Sequence, residues 1–205
     1  MPLVILATTN PGKAREFRAL LGQHQTLASW TLATPAELGL TVPPVDETGS
    51  TFADNARLKA VAVAQATGEW ALADDSGLCV GTLGGAPGLR SARWAGPDAT
   101  DADRVARLLA RLQDVPEAWR TAYFICAAAL ARPNGRVDVE EGVCEGVITR
   151  APVGANGFGY DPVFMLPSLG RTMAQLTDDE KNNISHRARA LARLAAHFRS
   201  SHLRF

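Results

Sequence analysis

The first apolar block, residues 3–7 (LVILA), is continuous and rich in branched side chains, which predicts a strand buried on both faces. Thr8-Thr9-Asn10-Pro11-Gly12 interrupts it. Over residues 13–21 the apolar positions Phe17, Leu20 and Leu21 share one helical face, so the chain opens strand–loop–helix. Between residues 31 and 47, Pro35, Gly39, Pro43 and Pro44 leave room for one short strand. The Ala-rich stretch 52–66 predicts a second helix, with Thr51 and Asp54 placed as a capping pair. Residues 70–73 read as a short buried strand that ends at Asp74-Asp75-Ser76-Gly77, and residues 84–88 (GGAPG) as a loop.

Thr100 and Asp103 open a third helix whose inner face is Val105, Leu108, Leu109 and Leu112. Residues 121–131 and 136–148 predict an antiparallel pair around the Pro133-Asn134-Gly135 turn. A Gly-rich loop over 151–161 leads to a short strand at 163–165. Thr177 with Glu180 then starts a helical turn. The last helix runs to about residue 198, with Leu191, Leu194, Ala195 and Phe198 at i, i+3, i+4 and i+7. The elements predict an α/β fold: a mixed twisted sheet with flanking helices, one domain over residues 1–205, folded as two lobes around a cleft.

Composition narrows the function classes. A chain of 205 residues, 46% hydrophobic and 20% charged, is globular rather than disordered. It is long enough to bury about 70% of its unfolded surface. Lys plus Arg and Asp plus Glu both count 21, so no net charge drives it toward nucleic acid or anionic membrane. Cys79, Cys126 and Cys144 form no CxxC and no Cys/His cluster, so they read as small buried hydrophobes rather than a disulfide framework or a zinc site. No apolar run approaches the roughly 20 residues of a membrane span, and the N-terminal residues lack the basic start of a signal peptide. A soluble, cytoplasmic setting is the expectation.

Five groups of residues could carry chemistry. Thr8, Thr9, Asn10, Pro11, Gly12 and Lys13 lie where a strand feeds a helix N-terminus, whose amides and dipole favour an anion. Lys13 adds a point charge, yet the same residues also suit a plain turn capped by Asn10. Asp74 and Asp75 follow a buried strand, where ligands gather in open α/β sheets. Their hard oxygens suit Mg²⁺, and alternation along an extended segment turns the two side chains to opposite faces. An Asx-type turn is the other reading. Glu47, in Asp46-Glu47-Thr48-Gly49, could join that cluster; Asn55 and Lys59 follow one helical turn apart, although a lysine amid apolar residues is more often a snorkelling surface residue. In Gly157-Phe158-Gly159-Tyr160-Asp161 a ring is offered to a planar base, or plugs the core. Lys181 and Ser185-His186-Arg187 make the fifth group; Arg187 beside the apolar face of the last helix wants an anionic or polar partner.

These motifs together resemble the inosine triphosphate pyrophosphatase family, in its bacterial branch acting on non-standard purine nucleotides. The matching segments are LATTNPGK at 6–13, DETGSTFADNARLKA at 46–60, ADDSGLCVGTLGGAPGLRSARWAG at 73–96, GFGYDPVF at 157–164 and LTDDEKNNISHRARAL at 176–191. The resemblance implies hydrolysis of ITP, dITP and XTP to the monophosphate and pyrophosphate, with Mg²⁺, by a homodimer with a central nucleotide-binding cleft. It implies that Thr8–Lys13 hold the triphosphate, that Asp75 is proton acceptor and metal ligand, and that Glu47 is the second metal carboxylate. It puts Ser76 and Lys59 on phosphate, and Phe158, Gly159, Tyr160, Asp161, Lys181, His186 and Arg187 in the base and sugar pocket. It leaves open whether Asp74 joins these carboxylates. A pyrophosphatase for other modified or pyrimidine nucleotides, and a non-catalytic nucleotide-binding regulator, are the alternatives. Trp94, in an Arg/Gly-rich loop, reads equally as a dimer anchor or as a plug in its own core.

Overall fold

The computed structural model describes residues 3–24 and 27–199, the last two, Phe198 and Arg199, by backbone alone. Seven strands form one sheet in the order β2-β1-β3-β4-β5-β6-β7: β1 (Leu3–Leu6), β2 (Thr31–Ala33), β3 (Trp70–Val80), β4 (Thr121–Ala131), β5 (Val137–Ile148), β6 (Phe164–Leu166) and β7 (Arg171–Thr172). β1 runs parallel to β2, with Val4 opposite Leu32, and parallel to β3, with Ile5 opposite Ala71. β6 is antiparallel to both β5 and β7. Among the described residues five α-helices accompany the strands: α1 (Pro11–Gln23), α2 (Phe52–Thr67), α3 (Asp101–Arg111), α4 (Asp178–Ile184) and α5 (His186–Arg199). The mixed α/β sheet is the predicted fold class. None of the helices is long and apolar enough to cross a membrane among the described residues.

The chain divides into two compact units. The first comprises residues 1–75, 126–142 and 186–205; the second comprises 76–125 and 143–185. In the first unit, strand alternation sorts the core into two layers. Val4, Leu6, Leu72, Cys126, Ala128 and Leu130 pack with Phe17, Leu20 and Leu21 of α1 and with Leu191 and Leu194 of α5. The intervening residues Ile5, Ala71, Ala73, Ala127 and Ala129 pack with Ala56, Ala60, Val63 and Ala64 of α2. Alanine on both sides of this second layer lets α2 lie close to the strands. At Gly142 any side chain would collide with the backbone of α5 at His186 and Ala190, so β5 and α5 meet there main chain to main chain. The apolar face predicted for the last helix holds at Leu191, Leu194 and Ala195; the side chain of Phe198 lies outside the described residues.

In the second unit, Leu78, Val80, Val105, Leu108, Leu112, Phe124, Ile148, Phe164 and Met173 form the core. Arg120 is buried but satisfied, donating to the carbonyls of Ile148, Leu112 and Thr149 at 2.8, 2.6 and 2.8 Å. Trp94 packs half-buried against this core with the Arg107 guanidinium 5.5 Å from its ring, as the plug reading expects. All three cysteines are free and buried.

The predicted caps of α2, α3 and α4 are present as reciprocal capping boxes at Thr51/Asp54, Thr100/Asp103 and Thr177/Glu180. The largest departure is β3. The predicted break at Asp74-Asp75-Ser76-Gly77 does not occur, and the strand continues to Val80. Turn-forming residue types are only a local preference; here neighbouring strands and ion pairs for both aspartates hold the backbone extended.

Candidate active site

The carboxylates of β3 separate by parity. Asp74 is on the side of α1 and α5, and Asp75 on the side of α2. α1 begins with Pro11 in its first turn and is capped by Asn10, whose Oδ1 accepts from the Lys13 N–H at 3.1 Å. Asn10 N–H in turn donates to Thr8 Oγ1 at 3.1 Å. The capped turn is therefore real, and it presents Thr9, Asn10 and Pro11 at the surface, with Thr8, Gly12 and Lys13 half-buried. From the same turn Lys13 Nζ reaches Asp74 Oδ2 at 2.9 Å.

Asp74 also faces Arg187 of α5, whose Nη2 lies 3.5 Å from Asp74 Oδ2 and whose Nη1 donates to Glu16 Oε2 of α1. Arg187 is 1% exposed, and its guanidinium lies 5.6 Å from the Phe17 ring. Burial works against the Asp74 charge, but Lys13, Arg187 and Lys59 outweigh it and hold the carboxyl far below the usual range. Burial likewise opposes the Arg187 charge, and Glu16 and Asp74 keep it cationic. The Cys126 thiol is pushed up to about 12, by burial first and by the Asp74 charge second, so it stays protonated.

On the other side of β3, Lys59 of α2 lies between two carboxylates, with its Nζ 2.9 Å from Glu47 Oε1 and 3.6 Å from Asp75 Oδ1. The burial of Lys59 would lower its pKa, but Asp74, Asp75 and Glu47 raise it overall. Asp75 has the opposite balance. Burial pushes its carboxyl up, and the neighbouring Lys59 and an amide donor from Asn55 only partly offset that. A buried carboxyl with a raised pKa beside a lysine is a candidate proton acceptor. Glu47 and Asp75 offer hard oxygen donors of the kind Mg²⁺ takes, with waters and phosphate oxygens for the remaining positions. Among the described residues no group of three or more His, Cys, Asp or Glu is placed to hold a metal ion, so Glu47 and Asp75 fit such a partly hydrated ion rather than an all-protein cage.

In the second unit, Lys181 Nζ pairs with Asp161 Oδ2 at 2.5 Å and lies 5.0 Å from the Phe158 ring. Asp161 Oδ2 also accepts from the Phe158 N–H at 2.9 Å, which closes the loop. Gly157, at φ +75°, is obligatory there, because a Cβ would collide with the Asp161 carboxylate. Tyr160 donates its hydroxyl to the Ser91 carbonyl at 3.0 Å and serves the core. Phe158 and Gly159 are half-buried.

The structure thus brings together Lys13 with Asp74 and Arg187, Glu47 with Lys59 and Asp75, and Phe158 with Asp161 and Lys181. His186 and Arg187 belong to the first unit, and Phe158–Asp161 and Lys181 to the second. Ser76 follows Asp75 on β3, half-buried. Two participants carried no assigned role in the sequence reading. Glu16 is one; its signal was a carboxylate one turn after Lys13 on the face of Phe17 and Leu20. Asn55 is the other; its signal was the spacing of one turn before Lys59.

The model of the Ham1 family matches residues 4–197, and the chain belongs to that family. A dITP/XTP pyrophosphatase of Geobacillus kaustophilus is 50% identical over 194 residues, which cover 95% of this chain and 93% of that protein. One from Streptomyces avermitilis is 50% identical over 198 residues, 95% of this chain and 96% of its own. Among solved structures, a HAM1 protein from Coxiella burnetii aligns with a TM-score of 0.85 at 41% identity, covering 98% of this chain and 100% of that one. The Ham1 protein of Staphylococcus aureus aligns at 0.83 with 38% identity, covering 96% and 98%.

Proposed function

We propose that this Ham1-family chain is a nucleoside-triphosphate pyrophosphatase that hydrolyses ITP, dITP and XTP to the monophosphate and pyrophosphate and so clears them from the nucleotide pool. The relatives named dITP/XTP pyrophosphatase support the substrate class. One observation carries the chemistry: Asp75 is a buried carboxyl with a raised pKa, next to Lys59 and Glu47. The family match spans both compact units, which supports reading residues 1–205 as one functional domain.

Water attacks the α-phosphorus, the bond to the bridging oxygen of the β-phosphate breaks, and pyrophosphate leaves with the electron pair of that bond. Asp75 takes the proton of the attacking water. Lys13 and Lys59 place positive charge on phosphate oxygens, where charge grows as the leaving group departs. Thr8–Gly12 hold the phosphates at the start of α1, and Ser76 adds a hydroxyl donor. Glu47 and Asp75 hold Mg²⁺, which when bound supplies Lewis-acid neutralisation of the phosphates. Phe158 stacks on the base, and Gly159, Asp161 and Lys181 frame that ring. Tyr160, whose hydroxyl goes to the Ser91 carbonyl, serves the core, and Arg187, beside His186 at the start of α5, holds α1 and β3 together through Glu16 and Asp74. Donors that face O6 of hypoxanthine or xanthine are left unpaired by the amino group of adenine, which is worth about 10⁴-fold in discrimination. We place the enzyme in the cytoplasm as a homodimer, a reading that rests on the family.

The test is a substrate panel with Mg²⁺ and with EDTA: ITP, XTP, dITP, ATP, GTP and TTP, with products separated. Pyrophosphate is the expected first product, with the three non-standard purines preferred and turnover abolished by EDTA. Orthophosphate as first product ends the reaction class, and equal turnover of ATP and ITP ends the purine discrimination. Preference for TTP would favour the pyrimidine-directed alternative, and binding without turnover the regulator.

A further inference from the structure

Asn55 stands at the first buried turn of α2 and uses both ends of its amide. Its Oδ1 accepts the Gly49 N–H at 2.8 Å, and its Nδ2 donates to Asp75 Oδ2 at 3.1 Å. The residue is 2% exposed, so neither contact competes with bulk water. The orientation is forced: the backbone donor of Gly49 demands the oxygen, which turns the NH₂ toward Asp75. One side chain thereby joins β3, α2 and the 46–49 loop that carries Glu47. The loop cannot lie this close with anything but glycine at 49, because a Cβ there would be 2.5 Å from Asp54 Cβ and 2.7 Å from Asn55 Oδ1. Of the two Asp75 oxygens, Oδ2 is committed to Asn55, and Oδ1 faces Lys59 Nζ at 3.6 Å.

We propose that Asn55 is a positioning residue for the pyrophosphatase reaction, which fixes Asp75 so that Oδ1 is its working oxygen and ties the Glu47 loop to the same frame. This rests on the catalytic assignment of Asp75 above. The Asn55 amide is acceptor and donor at once. Leucine, of similar volume, loses both contacts, whereas aspartate keeps the acceptor for Gly49 but sets a carboxylate against Asp75.

The test is a double-mutant cycle on the full chain with ITP and Mg²⁺, run well below each melting temperature: wild type, Asn55→Leu, Asp75→Asn, and both together. Asn55→Leu is expected to lower kcat by about 10-fold or more with KM within about 3-fold, and to cost less than about 2-fold in the Asp75→Asn background. Asn55→Asp, which keeps shape and the Gly49 contact, is expected to lose kcat as well, and covers the case in which Asn55→Leu does not fold. Hydrogen exchange of the Gly49 amide is expected to accelerate in Asn55→Leu and not in Asn55→Asp. Wild-type kcat in a folded Asn55→Leu or Asn55→Asp enzyme, or an equal loss with and without the Asp75 carboxylate, overturns the positioning role. If Asp75→Asn alone keeps normal turnover, the catalytic assignment has failed, which is a different result from failure of the Asn55 linkage.

Discussion

Asp74 and Asp75 are neighbours in sequence but make their close ion pairs with different cations, Asp74 with Lys13 and Arg187 and Asp75 with Lys59. Strand alternation puts them on opposite sides of β3, so the two positions should fail differently when neutralised. Asp75→Asn should fold, melt near wild type and lose kcat by about 10²-fold or more, the usual scale for removal of a general base. Asp74→Asn leaves Lys13 and the buried Arg187 short of a counter-charge and should destabilise by about 3–5 kcal/mol. Urea unfolding and ITP turnover of the two variants check both halves. A stable, inactive Asp74→Asn beside an active Asp75→Asn would reverse the assignment.

Lys59 pairs with two carboxylates and offsets their mutual repulsion. Lys59→Met removes that cation, so Glu47 and Asp75 are left as a bare pair with a stronger demand for a metal. The expected outcome is a melting temperature below wild type in EDTA, with a larger rise on adding Mg²⁺ than wild type shows, and a raised KM for ITP. Thermal melts with and without Mg²⁺ decide it. An equal Mg²⁺ response in the two proteins would count against Lys59 sharing the metal carboxylates.

Phe158 lies beside the buried Lys181–Asp161 pair. Base–aromatic stacking is worth about 1–3 kcal/mol, so Phe158→Ala should raise KM for ITP by about 10-fold or more and leave kcat within about 3-fold. Steady-state kinetics on ITP reads both constants. A pure kcat loss would place the ring near the reacting phosphates instead.

The pH dependence of stability should include a contribution from Glu180. Its bond with the Arg171 side chain, then the Thr177 amide, hold its carboxyl down at about 2, below the ordinary 4.5. A carboxyl depressed in the folded state stabilises fully above its unfolded pKa, and that stabilisation is lost as pH falls through the folded one. Wild type should therefore melt above Glu180→Gln at pH 6, and the difference should shrink from about pH 4.5 toward pH 2. Melting curves of both proteins across that range test it. A constant difference would mean that the charge of Glu180 contributes nothing.

What was legible in the sequence is what depends on near neighbours. Capping boxes at Thr51, Thr100 and Thr177 close over three residues, so spacing alone exposes them. β4 appears at its predicted limits, Thr121–Ala131, because an apolar run followed by Pro-Asn-Gly is a local signal. The family was legible as well, because its motifs are short contiguous words. What the tertiary structure alone decided depends on contacts through space. Arg187 meets Glu16 across 171 positions, and no periodicity couples positions so far apart. The extended backbone at Asp74–Gly77, against local turn preference, exists because each aspartate finds its own cations once α1, α2 and α5 are packed on the sheet. Asn55 looked like one more polar residue on a helix; only the approach of Gly49 from one side and Asp75 from the other gives both ends of its amide a partner.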